Sequence, residues 1–72
     1  TCVIAIGIFR EKANVDKLVQ ELMQAGYEPY IEKLRSTTRV GVQFKYERSQ
    51  DIDDTLQDIR RQFVREAFVL KK

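Results

Sequence analysis

Behind Thr1 the chain runs through eight uncharged residues, Cys2 to Phe9 (CVIAIGIF), which read as a strand. Strand alternation puts Cys2, Ile4, Ile6 and Ile8 on one face and Val3, Ala5, Gly7 and Phe9 on the other. The first set suits a core. The second is neither polar, as a solvated face would be, nor uniformly bulky, as a second core face would be, and Gly7 weakens a strand. Arg10 to Ala13 follow as a short polar loop. Asn14 is a good N-cap, and Val15, Leu18, Val19, Leu22 and Met23 recur at helical spacing. Gly26 stands where a left-handed C-cap is needed, so the spacing predicts a helix of about three turns.

Tyr27 to Lys33 (YEPYIEK) reads as a second strand, and Pro29, which has no ladder donor, assigns it to a sheet edge. Leu34 to Thr38 form a turn region with Ser36 as its local hydrogen-bonder. Arg39 to Tyr46 (RVGVQFKY) alternates cleanly, Val40, Val42, Phe44 and Tyr46 against Arg39, Gly41, Gln43 and Lys45, and predicts a strand with one buried face. From about Asp51 to Gln62 a second helix is predicted, with Ile52, Leu56, Ile59 and Phe63 along one stripe. Asp51, Asp53 and Asp54 in its first turn and Arg60 and Arg61 in its last both favour the helix dipole. Ala67 to Lys71 makes a fourth strand.

The order is βαββαβ, and the halves resemble each other. Ile4 and Ile6 correspond to Val40 and Val42. Val15, Val19 and Leu22 correspond to Ile52, Leu56 and Ile59 once one loop residue is added to the second half. This internal repeat predicts an α+β fold of the split βαβ (ferredoxin-like, RNP-like) kind. Right-handed crossovers put both helices on one side of a four-stranded antiparallel sheet with strands one and three central. The helices are then expected to cover Ile4, Ile6, Ile8, Val40, Val42 and Phe44. The other face stays open, with Ala5, Gly7, Gly41 and Gln43 at its centre, Arg39 beside them, and Glu28, Tyr30 and Glu32 from strand two. Such a trough can hold an extended, flat-sided ligand; it can also be plain solvated sheet.

Composition narrows the chemistry. Seventy-two residues, 43% hydrophobic and 33% charged, make one globular domain. Ordering the chain costs on the order of 100 kcal/mol, so its apolar side chains are needed in a single core and little room remains for a deep cavity. A net charge of +2 is too weak to point to nucleic acid or an anionic membrane. The cluster Arg60, Arg61, Arg65, Lys71 and Lys72 reads as a solvated helix end and tail lying away from the open face; the competing reading is a nucleic-acid or teichoic-acid patch. No apolar run approaches the roughly 20 residues of a membrane span, and no signal-peptide pattern is present. The lone Cys2 has no partner cysteine or histidine and reads as a buried apolar thiol. A chain that opens on Thr1 and enters a strand at once is expected of a domain excised from a longer protein, and equally of one that has lost its initiator methionine.

Catalytic patterns are missing: there is no histidine, no Gly-x-Ser-x-Gly elbow and no phosphate loop. Asp51-Ile52-Asp53-Asp54 has the carboxylate density of a metal loop without the glycine and later glutamate of a calcium site, and reads as helix N-terminal acids. Glu28 and Glu32, on an exposed strand, have no burial to raise a pKa for glycosidic cleavage. No cofactor is implied. Arg39 to Tyr46 imitates the RNP1 octamer of RNA-recognition modules, but the stacking positions hold Gly41 and Gln43, while Phe44 and Tyr46 belong to the core side. RNA stacking is therefore disfavoured.

The segment IAIGIFREKANVDKLVQELMQAGYEPYIEK, followed by TRVGV, resembles the SPOR (sporulation-related repeat) domain. That family's outline is a V-Q-V-G-A-F first strand, an N-A-containing helix start, a helix ending in G-Y, a short strand, and R-V-x-V in strand three. Ile4 to Phe9, Asn14, Ala25-Gly26-Tyr27 and Arg39 to Val42 match these elements in turn. Two positions depart from the outline. Ala5 stands where glutamine is common, and Gln43-Phe44-Lys45 replaces a usual Gly-Pro-Phe. The resemblance implies a non-catalytic module of the bacterial cell envelope that binds peptidoglycan on its helix-free sheet face, favours glycan strands stripped of stem peptides, and gathers at division septa. Other division or envelope proteins become candidate partners. In such a site Ala5, Gly7 and Gly41 would let sugars approach the backbone, and Tyr30 would stack on a ring face. Gln43 would bond hydroxyl or acetamido groups, and Arg39 would pair with a muramic acid lactyl carboxylate. A copy that had lost its glycan and served as a protein-contact module would instead use an exposed sheet edge or an apolar patch.

Overall fold

The computed structural model describes all 72 residues. The elements are β1 (Cys2–Phe9), α1 (Lys12–Gln24), β2 (Glu28–Lys33), β3 (Thr38–Phe44), α2 (Ser49–Gln62) and β4 (Phe68–Lys71). One antiparallel sheet runs in the order β2-β3-β1-β4. The βαββαβ order, the two central strands and the edge position of Pro29 are thus as the pattern predicts.

Both helices contribute to a single core with the sheet: Val15, Leu18 and Leu22 of α1, Ile52 and Ile59 of α2, and Cys2, Ile4, Ile6, Val40 and Val42 below them. Leu22, Ile59, Ile4, Val40, Val42 and Cys2 have essentially no exposed surface. Each large aliphatic side chain among them stabilises the fold by about 1.5–3 kcal/mol. Burial also raises the Cys2 thiol pKa above its ordinary value, in keeping with an apolar role.

Helix boundaries follow local chemistry, with two corrections at the N-termini. α1 begins at Lys12, two residues before the expected Asn14 cap; Glu11 occupies the N-cap and its carbonyl accepts from Asn14 N–H at 3.1 Å. α2 begins at Ser49 because the Asp51 carboxylate accepts from the backbone N–H groups of Glu47 and Arg48, each at 3.2 Å. Those two bonds hold the Asp51 pKa below the ordinary value. At the other end of α1, Gly26 has φ 88°. Gly26 N–H donates to Met23 at 3.0 Å and Tyr27 N–H to Leu22 at 2.9 Å, a Schellman closure that only a left-handed residue permits.

The largest departure from simple alternation lies inside β1. Its pairing with β3 runs Ile4↔Val42 and Ala5↔Gly41 but then Gly7↔Val40, Ile8↔Arg39 and Phe9↔Thr38. The register shift at Ile6 reverses the phase of the strand, as a bulge does. Gly7, expected on the open face, therefore lies on the helix side beside buried Val40. A Cβ there would sit 3.0 Å from the Phe9 ring, which folds over it. Phe9 packs against the core, whereas Ile8, expected beneath the helices, is 52% exposed.

Candidate functional site

The open face is built from rows of side chains that the strand register aligns across the sheet. One row reads Phe68 (β4), Ala5 (β1), Gly41 (β3), Tyr30 (β2). Beside it lies Lys71, Val3, Gln43, Glu28, and on the other side Ile8, Arg39, Glu32. Of the six residues expected here, Ala5, Tyr30, Arg39, Gly41 and Gln43 are brought together and Gly7 is not.

The centre of the face is a floor of small residues, and one of them is small for a structural reason. A Cβ on Gly41 would collide with the Ile4 carbonyl oxygen and lie 3.1 Å from Ala5 Cα. The main chains of β1 and β3 approach too closely beside the bulge for any side chain. Val3 and Ala5 are 5% and 3% exposed although neither belongs to the core cluster beneath the helices. No helix lies over this face, and the Lys71 side chain crosses it to the Tyr30 ring.

Polar groups on the face are mutually engaged. Glu32 Oε1 accepts from Arg39 Nη1 at 3.2 Å and from the Tyr30 hydroxyl at 3.4 Å. The ion pair neutralises Arg39, whose Nε is buried without a partner. Gln43 Nε2 donates to the Pro29 carbonyl at 3.2 Å, which leaves its Oε1 and second amide hydrogen for other partners. Tyr30 is fixed at its hydroxyl and presents a ring face, and the ring of Phe68, half exposed, stands at the far end of the same row.

Three residues of this face were not expected from the sequence. Ile8 arrives through the bulge in β1. Phe68 and Lys71 arrive through a second register shift, where Val3↔Lys71 is followed by Ile4↔Val69, so that Leu70 is the extra residue and Lys71 shares a face with Phe68. Lys71 was expected in a solvated tail away from the face. Its Nζ instead lies 5.4 Å from the centroid of the Tyr30 ring, on the opposite edge strand, so its side chain reaches across the small-residue floor. A glycine inside a strand marks a bulge and was a signal for the first of these placements; nothing in AFVLK marks the second.

No helix is long and apolar enough to cross a membrane. No curated protein and no solved structure matches the chain significantly. A family model, described as SPOR domain, matches residues 2–70. That family consists of non-catalytic binding domains of bacterial envelope-associated proteins and is known for peptidoglycan binding. With the match covering every strand and helix but the last residue of β4, the chain belongs to the SPOR domain family.

Proposed function

We propose that this domain binds the glycan strands of peptidoglycan on its open sheet face and so holds its parent protein, of which it is one domain, at the bacterial cell wall or division septum. The observation that carries this reading is the central row. Tyr30 and Phe68 stand at its two ends with Ala5 and Gly41 between them, a flat-bottomed trough with an aromatic wall on each side. Sugar rings have apolar faces that stack on aromatic rings, and an extended glycan laid along the trough would meet both. Gln43 supplies a free acceptor and donor for hydroxyl and acetamido groups, and Glu32, oriented by Arg39, supplies a further acceptor for hydroxyls.

Co-sedimentation with peptidoglycan sacculi, amidase-treated or untreated, tests this. The intact domain is expected to pellet preferentially with the treated sacculi. Tyr30→Ala and Phe68→Ala are each expected to weaken pelleting by roughly three- to ten-fold, the range for one lost stacking contact, with thermal melting nearly unchanged. Absence of pelleting by the unmodified domain, or unaltered pelleting by both variants, would remove the open face from consideration.

One observation favours a second use of the same fold, as a protein-contact module. Ile31, on edge strand β2, is 53% exposed and lines a cleft with Val15, Arg10, Lys12, Lys33 and Asp16. An apolar side chain beside an unpaired strand edge suits an added strand from a partner. If the domain ignores sacculi while Ile31→Lys abolishes association with another envelope protein, this reading replaces the first.

A further inference from the structure

On the open face Lys71 is the cation left without an anion. The ion pairs of the molecule join Lys12 to Asp16, Arg39 to Glu32, Arg48 to Asp51 and Arg61 to Asp58. None involves Lys71, whose ammonium rests over the Tyr30 ring at 5.4 Å. For an ammonium on an exposed surface the face of a tyrosine is a weak partner. It is also the surface on which a sugar ring would stack. A ligand that takes Tyr30 therefore displaces the ammonium, and an anionic group on that same ligand would satisfy it with a charge-assisted bond.

From this we infer that Lys71 recognises a carboxylate carried by the ligand, with Tyr30 holding the ammonium in place until the ligand arrives. The inference rests on the glycan reading and assigns the anion contact to Lys71, since Arg39 is already neutralised by Glu32. In peptidoglycan the carboxylate of suitable position is the lactyl group of muramic acid. While a stem peptide is attached that group is an uncharged amide. Hydrolysis of the amide leaves a carboxylate, so a cation reaching over the trough can distinguish stripped strands from peptide-bearing ones by the charge at the lactyl position.

The test measures binding to amidase-treated sacculi free of teichoic acid, before and after their carboxylates are converted to primary amides with carbodiimide and ammonia. Lys71→Met keeps the length of the side chain without its charge, and Lys71→Arg keeps the charge. The unmodified domain and Lys71→Arg are expected to bind the amidated glycan roughly three- to ten-fold more weakly than the carboxylate form. Lys71→Met is expected to bind both forms alike, at the weaker level. Retention of the carboxylate preference by Lys71→Met would overturn the assignment, because another cation would then be responsible. Equal binding of both forms by the unmodified domain would overturn it too, leaving glycan binding intact. Failure of the unmodified domain to bind either form would remove the glycan reading and this inference with it.

Discussion

The two faces of the sheet are made of alternate residues on the same strands, yet they reach burial by different means. Beneath the helices, Ile4, Val40 and Val42 lose their exposure by packing against Leu22 and Ile59. On the other face Val3 and Ala5 are nearly as inaccessible with no second layer above them, covered by side chains that reach over from the neighbouring strands. Burial of the first kind stabilises the fold. The second kind is a cover supplied by the sheet's own side chains, with no second layer packed on it. Low exposure alone does not tell the two apart; the elements that supply the cover do.

Gly41 is where that division should break most severely. It belongs to the open face, yet its missing side chain is demanded by the Ile4 carbonyl. Gly41→Val is expected to destabilise by about 4 kcal/mol or more, read by urea denaturation; a loss below about 1 kcal/mol would mean that β1 and β3 are not so close. A paired substitution sharpens the comparison. Ile59→Ala, in the helix-covered core, should cost about 2–5 kcal/mol. Phe68→Ala, half exposed on the open face, should cost below about 1 kcal/mol while weakening glycan binding. Equal losses in denaturation would contradict the distinction.

A smaller effect separates the helix side by pH. The Tyr27 hydroxyl donates to Asp58 of α2, tying the end of α1 to the second helix. Burial first, and then this bond and the carboxylate's charge, push Tyr27 up to about 12. The same bond, with those from Gln62 and Arg61, holds Asp58 below its ordinary value. The Asp58 contribution is therefore present above the unfolded carboxylate pKa and is lost as pH falls through the lowered folded value. The Tyr27 contribution is complete below its unfolded value near 10 and is lost as pH rises towards about 12. Melting temperature measured across pH should fall at both ends. Tyr27→Phe should shrink the acid limb and remove its share of the alkaline one. Smallest of all is Arg39→Ala, whose half-buried ion pair with Glu32 is worth about 1 kcal/mol once solvent screening is counted; a large fall in melting temperature would contradict its place on the open face.

Much of this architecture is legible in the sequence because polar residues mark the phase of most elements. In β3, Arg39, Gly41 and Gln43 alternate with Val40, Val42 and Phe44, and the inward set is unambiguous. The two helices declare themselves through stripes ending at Gly26 and at Arg60-Arg61. In β1 the signal fails. CVIAIGIF has no polar residue to show which way each side chain points, so the reversal at Ile6 leaves no trace beyond a glycine. Simple alternation consequently puts Gly7 in the trough, although its smallness makes room for Phe9. The same failure hid Phe68 and Lys71, because a strand of four residues is too short for alternation to survive one extra residue at Leu70. The floor of the candidate site could be read from the sequence, and its far wall and its free cation could not.

The pairing of Val3 with Lys71 also governs when the domain can come into being. Within the domain, central strand β1 is made first and waits for its outer neighbour until nearly all of the domain has been synthesised. Closure of so long a loop is slow, as it is for any topology of high contact order. A chain emerging from a ribosome or threading through a narrow translocation pore would leave one side of β1 unpaired until the final strand had cleared the exit. The residue that completes the last ladder is also the one proposed to meet the ligand's charge, so an incompletely delivered chain would lack both a finished sheet and its means of attachment.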